Sequence, residues 1–130
     1  MPLTPVTRRA IFEKLKGSLQ KQCPPMVCAK DTSSCFEIIG NLPHPYGSTK
    51  KIVPGMYFAS AVARKDMVSF YFMPIYYHKE DYARSAPTLL KSLKGKACFN
   101  FKKVEQVDEK EMDAMLKKGA LAWKQLGYMK

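Results

Sequence analysis

Hydrophobic positions recur every three or four residues at both ends of this chain and every second residue in between. Near the start, Ile11, Phe12, Leu15 and Leu19 make one apolar stripe, and lysines and arginines fill the opposite face. That period predicts a helix over residues 5–21. Thr4 stands as its N-cap with Pro5 at the first helical position, and Pro24 and Pro25 end it. Val27-Cys28-Ala29 and Cys35 to Ile39 then read as two strands, joined by a turn over Asp31, Thr32 and Ser33. Residues 40–55 hold Pro43, Pro45 and Pro54 with Gly40, Gly47 and Gly55, and read as one long loop.

The strongest strand pair is Met56 to Val62 with Met67 to Ile75, turning at Arg64-Lys65-Asp66. Alternation sets Val68, Phe70 and Phe72 on one face and Ser69, Tyr71 and Met73 on the other. The aromatic face needs covering by helices; the second face is less apolar and is expected to be partly open. A polar helical stretch follows over residues 79–93, with Pro87 starting a fresh turn. Residues 96–102 are the last strand, with Phe99 and Phe101 inward and Cys98 and Asn100 opposite. Asp108 and Glu111 form a capping-box pattern before a final helix whose buried stripe is Met112, Leu116, Gly119, Trp123 and Leu126. The order α-β-β-β-β-α-β-α predicts an α+β domain over residues 1–130: a mostly antiparallel five-stranded sheet with helices packed on one face.

Composition adds limits. At 130 residues and 46% hydrophobic, the chain can bury a core without metal or disulfide staples. Its longest apolar run, Met67 to Tyr77, is well short of the roughly 20 residues a spanning helix needs. No apolar leader follows Met1, so a cytoplasmic protein with no membrane association is expected, and Cys23, Cys28, Cys35 and Cys98 are expected as reduced thiols. Lysine and arginine number 22 against 11 acids, a formal charge of +11 that attracts polyanions without specificity.

The segments MVSFYFMPIYYHKEDY (67–82) and LLKSLKGKACFNFKKVEQVDEKEMDAMLKKGALAWKQLGYMK (89–130) resemble the YdhG-like family of small bacterial domains of unknown function. The most specific piece is Gly95-Lys96-Ala97-Cys98-Phe99-Asn100-Phe101-Lys102-Lys103, together with the Gly127-Tyr128 helix end. The resemblance implies a frataxin-like α+β fold and raises iron handling. Frataxins hold iron on an acidic ridge of the first helix and adjoining strand, whereas here that helix carries Glu13 alone against Arg8, Arg9, Lys14, Lys16 and Lys21. A hard cation wants clustered carboxylates.

Other candidate chemistry is thin. Glu105, Asp108, Glu109, Glu111 and Asp113 are acids of the kind expected where a helix begins. Cys23, Cys28, Cys35 and His44 lack the paired spacing of a zinc site. Cys28 and Cys35 could meet across the first hairpin as a redox-sensitive pair, but ordinary buried thiols are the preferred reading. Lys94 to Phe101 follows the RNA-recognition strand motif only superficially, with Lys96 and Cys98 where stacking aromatics belong. No serine elbow, Walker or dinucleotide motif occurs.

The candidate surface is therefore the open sheet face. Tyr71 and Met73 should share it with Cys98, Asn100 and Lys102, with Tyr76 and His78 at its margin beside the 40–55 loop. Aromatic and sulfur groups rimmed by lysine suit a small anionic ligand or a protein partner, including a second copy in a homodimer. The function expected is a non-enzymatic ligand-binding or interaction module with no cofactor and no metal. The alternative is an iron-handling protein resembling frataxin. A weaker third is salt-sensitive nucleic-acid binding through lysines 91, 94, 96, 102 and 103.

Overall fold

A computed structural model describes residues 3–23, 26–46, 51–77, 79–95 and 97–129. Helix α1 (Pro5–Gln20) starts where the Thr4 hydroxyl accepts the Thr7 N–H at 3.1 Å, as the sequence predicts. Its stripe of Ile11, Phe12, Leu15 and Leu19 is buried. Strands β1 (Val27–Asp31) and β2 (Cys35–Ile39) form the first hairpin. The predicted loop contains a short ribbon of its own, β3 (His44–Tyr46) and β4 (Lys51–Val53). Proline is tolerated there because each strand of a two-stranded ribbon has a free edge.

Strands β5 (Tyr57–Ala63), β6 (Val68–Phe72) and β7 (Cys98–Phe101) complete the main sheet, five strands in the order β1-β2-β5-β6-β7 with every pair antiparallel. The predicted strand to Ile75 stops at Phe72. Pro74 cannot donate to a ladder but suits a helix start, and it opens α2 (Pro74–Tyr77). The helix expected over 79–93 is two pieces, α3 (Lys79–Ser85) and α4 (Pro87–Leu90), parted at Ala86 (φ −135°, ψ 53°), because the residue before proline is pushed out of helical geometry. The outer edge of β7 is covered by the 92–94 segment: Asn100 N–H donates to Ser92 O at 2.9 Å and Lys94 N–H to Cys98 O at 2.7 Å.

Helix α5 (Glu109–Gln125) departs from expectation at both ends. Asp108 accepts the Glu111 N–H at 3.0 Å, but the Glu111 carboxylate does not return the bond. It accepts the Thr88 and Leu89 N–H groups at 2.8 and 3.1 Å instead, capping α4, which has no side-chain cap of its own. Two orphan donors offer a carboxylate more than one would. At the other end Leu126 is 49% exposed rather than buried, and Met115 joins the buried stripe. Leu126 is the C-cap residue. Gly127 at φ +83° then reverses the chain: its N–H reaches Lys124 O at 3.2 Å and the Tyr128 N–H reaches Trp123 O at 2.9 Å. This is a Schellman ending, with its usual apolar contact supplied by Tyr128 edge-on to Trp123 at 5.2 Å.

One face of the sheet carries the core. Phe58, Phe70, Phe72, Phe99 and Phe101 are fully buried together with Trp123. α1 packs on β5 and β6, and α5 touches α1 to α4 in turn. Gly119 lets α5 settle on the rings of Phe72 and Phe58. Among the described residues no helix is long and apolar enough to cross a membrane.

Two substitutions test this packing. Trp123→Ala should cost about 3–5 kcal/mol in urea denaturation, since it removes a buried indole and its 3.3 Å bond to Met56 O. Gly119→Ala gains about 1 kcal/mol of helix propensity. Its Cβ would lie 2.6 Å from Phe72 Cζ, however. Overpacking of that kind costs about 1–3 kcal/mol, so the melting temperature should fall; a rise would mean that the ring moves aside at no cost.

Candidate functional site

The face of the sheet away from the helices is where the predicted site residues were placed, and its geometry begins with a bulge. Ile38 pairs with Ala59 while Ile39 pairs with Tyr57, so Phe58 is an extra residue. Phe58 and Ala59 both turn into the core, and Tyr57 comes round to the same face as Ser60. Tyr57 Oη and Ser60 Oγ are hydrogen-bonded. Ladder pairs then run across the face as Lys30, Glu37, Ser60, Tyr71 and Cys98 from β1 to β7.

Towards the β5–β6 turn the face is a closed polar network. Arg64 donates from Nε to Ser69 Oγ at 3.0 Å and from Nη2 to Tyr71 Oη at 2.7 Å. Ser69 donates to Asn100 Oδ1 at 3.0 Å, and the Cys98 thiol reaches the same oxygen at 3.5 Å. Ser60 and Ser69 are buried although they face outward from the sheet, because larger neighbours bond over them.

Towards the other end the face opens into a cavity of about 520 Å³. Tyr57, Tyr71 and Met73 form its floor with Ile39. Val53, Pro54 and Gly55, on the return from the β3–β4 ribbon, form one wall; Ala97 and Ala29 stand on opposite sides. Ala29 is the unpaired residue of a second bulge, between the Cys28 and Lys30 pairs. Glu37 contributes a half-buried carboxylate, and it is the one charged residue in the described lining.

Of the predicted site residues, the structure puts Tyr71 and Met73 in this lining. Cys98 and Asn100 lie on the same face but belong to the polar network. Lys102 follows β7 with its side chain exposed and outside the lining, its N–H donating to Gln106 Oε1 at 2.7 Å. Tyr76 sits on α2, 53% exposed and outside the lining. His78 lies outside the described residues. Sequence reasoning missed Glu37, Ile39, Tyr57 and the Val53–Gly55 wall. The alternation of Cys35, Glu37 and Ile39 held a signal for the first two; Tyr57 depends on the bulge.

The thiols are free, and Cys28 and Cys35 do not face each other: Cys28 pairs with Ile38 and Cys35 with Val62. Burial pushes both Cys23 and Cys35 above the ordinary thiol value. Among the described residues no three His, Cys, Asp or Glu side chains converge as metal ligands. Of the acids at the start of α5, Asp108 and Glu111 accept backbone N–H groups and Asp113 Oδ2 is paired to Lys21 at 2.9 Å. No family model, curated protein or solved structure matches the chain.

Burial pushes the Tyr57 phenol well above its ordinary 10.0; the Ser60 bond opposes this and the Glu37 charge adds to it. The native state thus holds a proton that the unfolded chain releases. Its stabilising contribution is full below pH about 10 and is lost as pH rises further. Alkaline titration followed by tyrosine absorbance should show Tyr57, identified by the step that Tyr57→Phe removes, ionising only as the protein unfolds. Tyr57→Phe should flatten the alkaline fall in stability; an unchanged slope would mean that Tyr57 titrates freely.

Proposed function

We propose that this protein is a non-enzymatic binding module that holds a small, largely apolar ligand on the open face of its sheet. The observation that carries this is the cavity of about 520 Å³, a volume within the usual range for small-molecule sites. Its floor is aromatic and sulfur-bearing, the mixture that grips apolar bodies through area and polarizability. The tyrosine hydroxyls at its floor are already bonded to Ser60 and Arg64, so they shape the site rather than wait for chemistry. We further propose a YdhG-like identity with frataxin-like topology, supported by the Gly95 to Lys103 segment and the α+β class.

The test is a fragment screen read by thermal shift and by ¹⁵N chemical shifts. Ligands should raise the melting temperature in proportion to the logarithm of their concentration and perturb the amides of Tyr57, Tyr71 and Met73. Ala29→Trp places a large ring at the cavity's lip from an exposed strand position. It should leave the ligand-free melting temperature nearly unchanged and remove the ligand-induced shifts. Perturbations elsewhere, or a doubling of mass in sedimentation that Ala29→Trp abolishes, would overturn the reading, the second result in favour of a homodimer covering this face.

A further inference from the structure

We infer that the ligand of this cavity is a hydrophobic cation: a ring or chain of carbon bearing a protonated or quaternary amine, with Glu37 as its counter-charge. The inference rests on the binding-module reading above and narrows it to one chemical class.

Four carboxylates among the described residues are half-buried: Glu37, Asp108, Glu111 and Asp113. Three have partners. Asp108 takes the Glu111 N–H, Glu111 takes two N–H groups of α4, and Asp113 takes the Lys21 ammonium. Glu37 has neither a hydrogen bond nor an ion pair among the described residues. It is unpaired in a chain with 22 basic residues against 11 acids, and Lys30 is its direct neighbour across the β1–β2 ladder. A carboxylate withdrawn from part of its water without a partner is held at a cost, which a bound cation would offset.

The surroundings fit the same class. Two tyrosine rings line the cavity that Glu37 enters, and the face of a neutral phenol attracts a cation. Arg64, the nearest guanidinium to Tyr71, is committed to Ser69 and Tyr71. The lysines that made an anionic ligand attractive on sequence grounds are absent from the described lining. An anion entering here would meet Glu37 and no counter-charge in the described lining, whereas an amine would meet a carboxylate and two tyrosine rings. Long-range repulsion from the +11 charge acts against any cation, so selection for one would be a property of the site itself.

The experiment compares amines with the alcohol and carboxylate of the same carbon body, tryptamine with tryptophol and indolepropionate among them, by calorimetry on the full chain. The amines should bind about 10-fold or more tighter than the alcohols, and the carboxylates most weakly. Glu37→Gln should lower amine affinity to that of the alcohol and leave alcohol affinity unchanged. Glu105→Gln, which removes the same charge from an exposed position, should leave the preference intact. Equal affinity for amine and alcohol, or a preference that survives Glu37→Gln, overturns the cation while leaving the cavity reading in place. Binding that survives Ala29→Trp, or no binding by any member of the panel, overturns both.

Discussion

Gly40 and Gly55 bring two stretches of backbone so close that a Cβ on Gly55 would lie 1.9 Å from the Gly40 carbonyl oxygen. On the other flank, a Cβ on Gly40 would lie 2.4 Å from the Tyr128 carbonyl oxygen. Only hydrogen fits in either gap. Between them the Met56 carbonyl accepts both the Gly40 N–H at 2.9 Å and the Trp123 indole N–H at 3.3 Å. The point where the chain leaves β2 for the ribbon, the point where it comes back to β5, and the last turn of α5 are therefore one junction. The wall of the cavity is the three residues leading into it. Core packing around Trp123 and the shape of the open sheet face are mechanically joined at this place.

Irregular backbone, rather than regular sheet, makes the site. Under strict alternation Tyr57 and Ser60, three residues apart, would lie on opposite faces; the bulge at Phe58 brings them to the same face and sinks the phenol beside Glu37. The bulge also gives the core a ring it uses fully: Phe58 packs edge-on against both Phe72 and Trp123, at 5.5 and 5.6 Å. One inserted residue thus supplies apolar contact on one side and an aromatic floor on the other.

Much of the architecture can be read from periodicity, because burial on one face imposes it. Val68, Phe70 and Phe72, and Phe99 and Phe101, are as deeply buried as strict alternation requires, and the α1 stripe likewise. What escaped were features settled by contacts between distant segments. Glu111 looks like half of a capping box until α4 is placed beside it, with two N–H groups to satisfy. Leu126 fits the helical stripe, yet the left-handed turn at Gly127 brings Tyr128 onto Trp123 instead. Tyr71 and Met73 follow from simple alternation, and their place on the open face was legible in the sequence. Tyr57 was not, since a bulge shifts the parity that alternation relies on. Pro45 argued for a loop, but a ribbon with two free edges accommodates it.

The two outer strands of the sheet are treated differently. β7 is shielded by the 92–94 segment, while β1 is exposed along all five residues and pairs on one side only. A flat, uncovered strand of that kind is a template for another chain to add to, and proteins blunt it with charge and kinks. Here Lys30 and Asp31 supply the charge, and the unpaired Ala29 breaks the rhythm of donors and acceptors. The irregularity that gives the cavity its outer lip thus also makes the free edge a poorer template for edge-to-edge pairing. Straightening β1 would reshape the open face of the sheet and, at high concentration, invite fibrous association in the same stroke.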